Sequence, residues 1–283
     1  MSEHRVRIVT DSACDLPDEI VQRHGIGVVP LTIRFGDEDL IDREQLSVDE
    51  FWSRCATSDE LPSTAAPAPG QFEVVYRRLA AEGATAIVVI SLSGALSATI
   101  QSAELAARSL ADVVPVTVVD SRSVTMGLGT IVLAAARAAE GGASPEEIAA
   151  AATDMARRTK VVGALDTLDN LRKGGRIGGA KALLATALSI KPIIEVIDGV
   201  VEQGGKQRTR SKALAFLTER VAADGDRVQN LAVLHADCAD VDDFVAMLRT
   251  VRGDGEIVVG RIGPVIGTHA GRGTIGVAYQ LAD

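Results

Sequence analysis

Runs of apolar residues alternate with amphipathic stretches along the first half of the chain. The apolar runs predict strands at 6–9, 27–33, 86–90 and 114–119. The amphipathic stretches predict helices at 16–24, 48–56 and 71–81. A further helix is predicted after the Ser-rich loop that follows residue 90, and it extends to residue 108. Strands that are apolar on both faces must be covered on both faces, so this alternation predicts a parallel sheet of βαβ units flanked by helices. Ligands of such sheets lie beyond the carboxyl ends of the strands, which makes the hydroxyl-bearing loops after Val9, Ile90 and Val119 candidate binding loops.

The pattern changes after residue 158. Strands are predicted at 161–165, 191–197, 200–202, 231–235 and 257–262, and helices at 180–189, 211–223 and 240–252. Asp198-Gly199 between two apolar runs predicts a β-hairpin, so antiparallel pairing enters here. We therefore predict an α/β fold of two domains, with an N-terminal parallel-sheet α/β/α domain over 1–158 and a C-terminal mixed-sheet α/β domain over 159–283.

Composition narrows the classes of partner. The 283 residues suffice for two cores, and the net charge of −9 with only 3% aromatic residues disfavours nucleic-acid binding. The three cysteines have no metal-ligand spacing, so no metal is expected. No apolar run approaches the roughly 18 residues of a membrane span, so we expect no stable membrane insertion and a cytoplasmic location.

Hydroxyl side chains are concentrated where the predicted strand 86–90 enters the next helix. Ser91, Ser93, Ser97, Thr99 and Ser102 fall within twelve residues. Hydroxyls and free backbone N–H groups at a helix N-terminus suit a carboxylate or a phosphate. Helix capping is the alternative, but five hydroxyls exceed what a cap requires.

Acidic residues follow the first strand in the segment Thr10-Asp11-Ser12-Ala13-Cys14-Asp15. Paired aspartates after a parallel strand are also found in phosphotransferases, so an enzyme function remains an alternative. No acidic metal-binding motif accompanies them, and Asp15 suits the N-cap of the following helix, so a structural role is favoured.

Three glycine- or proline-rich segments complete the set of candidates. The Pro-rich segment 61–70 carries Thr64 and by itself is typical of a connecting loop. The basic segment 172–181 lacks the ending of a phosphate-binding P-loop and predicts either a solvated loop or a docking surface. The segment 267–276 surrounds His269 with four glycines, which suggests close backbone approach to a ligand.

Together these segments resemble the DegV family. The resemblance rests on Thr10-Asp11-Ser12, Pro62-Ser63-Thr64, the Ser-rich stretch 90–103, Asp120-Ser121, the basic segment with Arg176, and the segment around His269, in that order along the chain. Two departures are Ala65-Ala66 where the family usually has Ser-Gln after the threonine, and Gly94 where it has a second serine.

The resemblance implies a protein that binds one long-chain fatty acid in a cleft between its domains and presents the carboxylate to a separate ATP-dependent fatty acid kinase. It further implies that Thr64 and Ser97 hydrogen-bond the carboxylate, that Ser93 and His269 lie near it, and that Arg176 and Arg208 face the kinase. Neither a cofactor nor catalysis by this chain alone is expected. The alternative is a phosphotransferase or a hydrolase that uses Asp11 or a serine nucleophile, for which the sequence shows no acidic partner to orient His269.

Overall fold

A computed structural model of the protein describes residues 5–58, 60–185 and 190–282. Its strands are β1 Val6–Asp11, β2 Gly27–Val29, β3 Thr32–Phe35, β4 Glu38–Ile41, β5 Ser63–Ala65, β6 Ala86–Ser91, β7 Val116–Asp120, β8 Thr159–Ala164, β9 Lys191–Ile197, β10 Val200–Gln207, β11 Val228–His235, β12 Val258–Arg261 and β13 Ile275–Leu281. Its α-helices are α1 Asp18–Arg23, α2 Val48–Thr57, α3 Pro69–Ala81, α4 Thr99–Ser109, α5 Thr125–Glu140, α6 Pro145–Arg158, α7 Asp169–Lys173, α8 Arg210–Asp224, α9 Val241–Arg252 and α10 Pro264–Ala270.

The first sheet confirms the predicted parallel domain. Its strand order is β2-β1-β6-β7, and every neighbouring pair is parallel. All residues of β6 are buried, as expected for a central strand covered on both faces. The loops that follow β6 and β7 therefore emerge side by side at one edge of the sheet.

The second sheet confirms the predicted mixed domain. Its order is β10-β9-β8-β13-β11-β12, and only the pair β11–β12 is parallel. The hairpin between β9 and β10 turns at Asp198 and Gly199, whose φ angles of 51° and 82° are both positive. Two successive positive φ angles are the requirement of the tight turn that an Asp-Gly pair predicts. The predicted boundary at 158 falls between α6 and β8; the extent of each domain stays a prediction.

A third, small sheet of order β4-β3-β5 was not predicted. The apolar run at 27–33, expected to be one strand, is divided into β2 and β3 around Pro30, which has no N–H for a sheet hydrogen bond. The segment at 61–70, expected to be a loop, contains β5. This short strand pairs with β3 so that Thr64 lies opposite Ile33.

Two other expectations change. Within the predicted helix 180–189, the described residues form a 3₁₀-helix, Gly178–Ala185, and residues 186–189 lie outside the described part of the chain. Asp15 is not the N-cap of α1, because Pro17 occupies that position without a side-chain cap. Asp15 instead accepts a hydrogen bond of 2.9 Å from the backbone N–H of Gly263, just before α10.

The buried Asp15 carboxyl makes stability depend on pH. It is 1% exposed, and burial raises its pKa to about 7, with the Thr125 hydroxyl and the Arg43 charge opposing the increase. A carboxyl whose pKa is raised by folding favours the folded state at low pH, and this contribution is lost as pH rises from about 4 through 7. We expect Asp15→Asn, which keeps an oxygen acceptor for Gly263, to stabilise the protein relative to wild type at pH 8 by on the order of 2 kcal/mol. The advantage should shrink at pH 5, as measured by urea unfolding.

The exposed Asp37 provides the matched control, because Asp37→Asn makes the same chemical change at the surface. An Asp15→Asn effect of equal size at both pH values would show that the buried carboxyl does not titrate in this range.

The two faces of the second sheet serve different purposes. Val162 and Ala164 of β8 point into a core that includes Leu217 of α8 and Phe244 of α9. Their neighbour Val161 points to the opposite face, where it joins a core shared with Ile90 of the first sheet. Space for a ligand between the domains is therefore bounded by this opposite face.

Candidate functional site

A mostly apolar cavity lies between the two sheets and is lined by residues of both domains. It contains about 810 Å³ of space not filled by protein atoms, its open mouth included. The second sheet contributes Val161, Gly163, Ile194, Val196 and Val201 to its wall. Leu92, Leu96 and Val124 close it from the first domain, through the loops after β6 and β7. Val265 and Ile266 of α10 complete the enclosure.

Polar side chains line this cavity at one end. Thr64 Oγ1 and His269 Nε2 are 3.0 Å apart, although the residues are separated by 205 positions in sequence. Thr64 is fixed by the pairing of β5 with β3, and His269 by α10, which packs against both strands. Ser97 also lines the cavity, and its Oγ lies 2.9 Å from Oγ1 of Thr99. Three of the predicted ligand-binding residues thus reach one cavity from three separate segments.

Arg176 lies at the same end of the cavity. Its Nε donates to the carbonyl of Leu96 at 3.2 Å, and another guanidinium nitrogen donates to the carbonyl of Gly174 at 2.7 Å. The side chain is half-buried and lines the cavity, whereas the sequence had suggested an outward-facing role toward a partner. Its guanidinium is therefore held by backbone carbonyls next to the hydroxyls.

His269 is neutral at physiological pH. Burial, and next the positive charge of Arg176, lower its pKa to about 4. Its Nδ1 is buried and has no hydrogen-bond partner among the residues that the structure describes. A Cβ at Gly174 would approach Nδ1 to 2.4 Å, so only glycine leaves room for the ring there. Part of the basic segment 172–181 thus forms the wall that positions His269, a role that its composition did not reveal.

Ser93 does not line the cavity. Its hydroxyl is fully buried and donates to the carbonyl of Gly199 at 2.6 Å, and it accepts from the N–H of Ala95 at 3.2 Å. Nearby, Arg122 forms an ion pair of 2.8 Å with Asp198. Ser93 therefore connects the loop after β6 to the β9–β10 hairpin of the other domain.

Arg208 is exposed at the end of β10. Within residues 5–58, 60–185 and 190–282 its side chain makes no hydrogen bond or ion pair. Arg208 does not line the cavity. Arg176 and Arg208, which the resemblance implies both face the kinase, therefore occupy different environments.

Asp11 is inaccessible. It is fully buried, and its oxygens accept hydrogen bonds from the N–H of Ala13 at 3.1 Å, the hydroxyl of Ser91 at 3.0 Å and the N–H of Leu92 at 2.8 Å. Burial raises its pKa to about 6, and the hydrogen bonds oppose the increase. The carboxyl organises the start of the Ser-rich loop.

A second, polar cavity adjoins the first at its polar end. It contains about 1040 Å³, including space open to solvent, and shares Thr64, Arg176 and His269 with the apolar cavity. Lys173 and Asn170 also line it. Thr64, Arg176 and His269 therefore border both the apolar cavity and a space that includes open solvent.

Two other classes of site are absent from the described part of the chain. No cluster of three or more histidine, cysteine, aspartate or glutamate side chains has an arrangement suited to a metal ion. Nor is any helix in residues 5–58, 60–185 and 190–282 long and apolar enough to cross a membrane.

The fold and the cavity define a two-domain α/β protein with a ligand cavity between its domains. A family model described as "Uncharacterised protein, DegV family" matches residues 5–281. The chain belongs to the DegV family. A DegV domain-containing protein of Streptomyces coelicolor is 41% identical over 284 residues, which cover 99% of each chain.

Solved structures show the same fold. A DegV family protein from Thermus thermophilus, described by its fatty acid binding, is 35% identical with a TM-score of 0.88, covering 98% of this chain and 100% of that one. DegV from Bacillus subtilis, described as a fatty acid binding protein, is 29% identical with a TM-score of 0.88, covering 99% and 100%. Both similarities extend over both domains.

Proposed function

We propose that this protein binds one long-chain fatty acid, with the acyl chain in the apolar cavity and the carboxylate beside Thr64, Ser97 and His269. The observation that carries the proposal is a mostly apolar cavity between the two sheets, with the hydrogen-bonding groups of Thr64, Ser97 and His269 on its wall. The fatty acid binding of two relatives with the same fold supports it.

The acyl chain supplies most of the affinity. Each buried methylene contributes about 0.8 kcal/mol, so a long chain exceeds the roughly 1.5–3 kcal/mol of one hydrogen bond to a charged group. The hydroxyls fix the position of the carboxylate along the cavity.

The Thr64–His269 contact determines how the hydroxyl is used. A threonine that donates its proton to a carboxylate can accept one from His269 Nε2–H. This requires a neutral ring with the proton on Nε2, which agrees with the low pKa of His269 and the unpartnered Nδ1. His269 then orients Thr64 toward the ligand without adding a full charge.

The polar outer cavity supports a second part of the proposal, which is presentation of the carboxylate to an ATP-dependent fatty acid kinase. Thr64 and His269 border both cavities, so a bound carboxylate would be reachable from outside while the chain stays buried. Uncharged donors favour phosphorylation, because a tight pair with a cation would stabilise the carboxylate before reaction. The nearby guanidinium of Arg176 already donates to the carbonyls of Leu96 and Gly174. Exposed Arg208 and half-buried Arg176, which lines the outer cavity, are the proposed kinase contacts.

The proposed binding is tested by lipid analysis of the protein purified without detergent. Extraction and mass spectrometry should recover close to one fatty acid per chain, and delipidated protein should take up oleate. Protein that carries no fatty acid and takes up none would refute the proposal.

Arg208→Glu tests presentation to the kinase. We expect fatty acid affinity to be unchanged and acyl phosphate formation with ATP and a fatty acid kinase subunit to fall at least about tenfold, because the loss of one interfacial charge pair commonly costs more than 1.4 kcal/mol. Arg249→Glu on α9 is the matched control, since this exposed arginine lies on the other side of the second sheet from the cavity. Equal phosphorylation by both variants and wild type would remove Arg208 from the interface.

Two features disfavour the enzyme hypothesis. Asp11 is fully buried, already accepts three hydrogen bonds and does not line the apolar cavity, so its carboxyl is not placed to attack a substrate there. His269 is a weak base with a pKa of about 4, and among the described residues no carboxylate contacts its Nδ1 in the way that orients the histidine of hydrolases.

A further inference from the structure

A third cavity adjoins the apolar cavity at a place away from the polar end. It contains about 950 Å³, including space open to solvent, and shares only Val161 and Val196 with the apolar cavity. None of Thr64, Ser97, Arg176 and His269 lines it. The two neighbouring cavities therefore meet the apolar cavity at different places, one at Thr64, Arg176 and His269 and the other at the two valines.

The two valines line both cavities and thus stand as a partition where the third cavity meets the apolar one. Val161 and Val196 are paired residues of the adjacent strands β8 and β9, so their side chains stand next to each other on one face. They are 6% and 9% exposed. A Cβ at Gly127 would lie 2.3 Å from a methyl of Val161, so α5 packs directly against this side chain.

The space beyond the partition is unsuited to an acyl chain. Charged residues surround it, and each has an ionic partner: Arg122 with Asp198 at 2.8 Å, Arg157 with Asp154 at 2.7 Å, Lys160 with Asp224 at 3.2 Å and Glu195 with Arg220 at 2.9 Å. A methylene that passed the valines would gain little burial and would displace water from charged groups.

We propose that the Val161–Val196 pair is the stop that sets the longest acyl chain this protein binds tightly. The inference rests on the proposed function, because a carboxylate held at Thr64 directs the methyl end of the chain away from the polar end. Affinity then rises with each methylene until the chain meets the two valines, and stops rising beyond that length.

The test measures dissociation constants for saturated acids from myristate to behenate. For wild type we expect a gain of about fourfold per methylene, corresponding to about 0.8 kcal/mol, up to a break point. Val161→Ala combined with Val196→Ala should move the break point to longer acids by about two methylenes, because each substitution removes two methyl groups. Val196→Leu, which leaves no gap in the core, should move the break point to shorter acids. This variant tests the proposal if the double alanine variant does not fold.

Val265→Ala is the matched control, since Val265 lines the apolar cavity but not the third cavity. A break point that stays in place in all valine variants, or that moves equally with Val265→Ala, would overturn the proposal. Failure of every variant and of wild type to bind any acid would instead refute the proposed function itself.

Discussion

Gly163→Leu is expected to abolish fatty acid binding, with a loss of affinity of at least about 100-fold. Gly163 is the penultimate residue of β8 and lines the apolar cavity. An added Cβ would have only ordinary contacts, the nearest at 3.8 Å to the carbonyl oxygen of Ile275 and to a methyl of Leu165. A leucine at this position therefore enters the space proposed for the acyl chain, and the chain would lose several buried methylenes at about 0.8 kcal/mol each. Isothermal titration with oleate measures the effect.

Gly163→Ala controls for the change of backbone. Alanine occupies little of the cavity, so its oleate affinity should remain within a few-fold of wild type. The thermal midpoint of ligand-free Gly163→Leu should equal or exceed that of wild type, because the new side chain fills an apolar space without a close backbone contact. Normal oleate binding by a folded Gly163→Leu protein would place the acyl chain elsewhere.

Removal of both neutral donors has the second large expected effect. Thr64→Ala with Ser97→Ala should weaken oleate binding by on the order of 100-fold, because each hydrogen bond to a carboxylate contributes about 1.5–3 kcal/mol and the two share one ligand. Binding should weaken but persist, since the apolar cavity is intact. Fluorescence competition with a labelled fatty acid measures the change.

Thr64→Ser tests whether the hydroxyl carries the effect. It retains the donor and the contact with His269, so affinity should remain close to that of wild type. The matched alcohol, oleyl alcohol, should bind wild type and the double alanine variant with similar affinity. Unchanged oleate affinity in the double variant would exclude both residues from the carboxylate site.

The sequence predicted the layered architecture because its signals are local. The runs at 86–90 and 191–197 are apolar enough to identify buried strands, and Asp198-Gly199 identifies the tight turn. β5 and β13 were missed for a different reason. β5 has three residues and exists through its pairing with β3, and β13 follows a glycine-rich segment that masks its apolar pattern.

The site was less predictable than the fold. Thr64 and His269 are far apart in sequence, and their 3.0 Å contact depends on the packing of α10 against β3 and β5. Arg176 looked like a surface cation because its charge stands in a glycine-rich segment. Its guanidinium is instead held by the carbonyls of Leu96 and Gly174, and no local pattern reveals such an anchor. Ser93 resembles its neighbours in sequence, yet it donates to Gly199 in the other domain.

A crystal structure of the protein with oleate tests the central claim most directly. It should show a carboxylate oxygen at about 2.5–3.0 Å from Thr64 Oγ1, and the acyl chain passing Gly163 toward Val161 and Val196. A carboxylate located away from Thr64, or a chain lying in the reverse direction with its methyl end beside His269, would contradict the account.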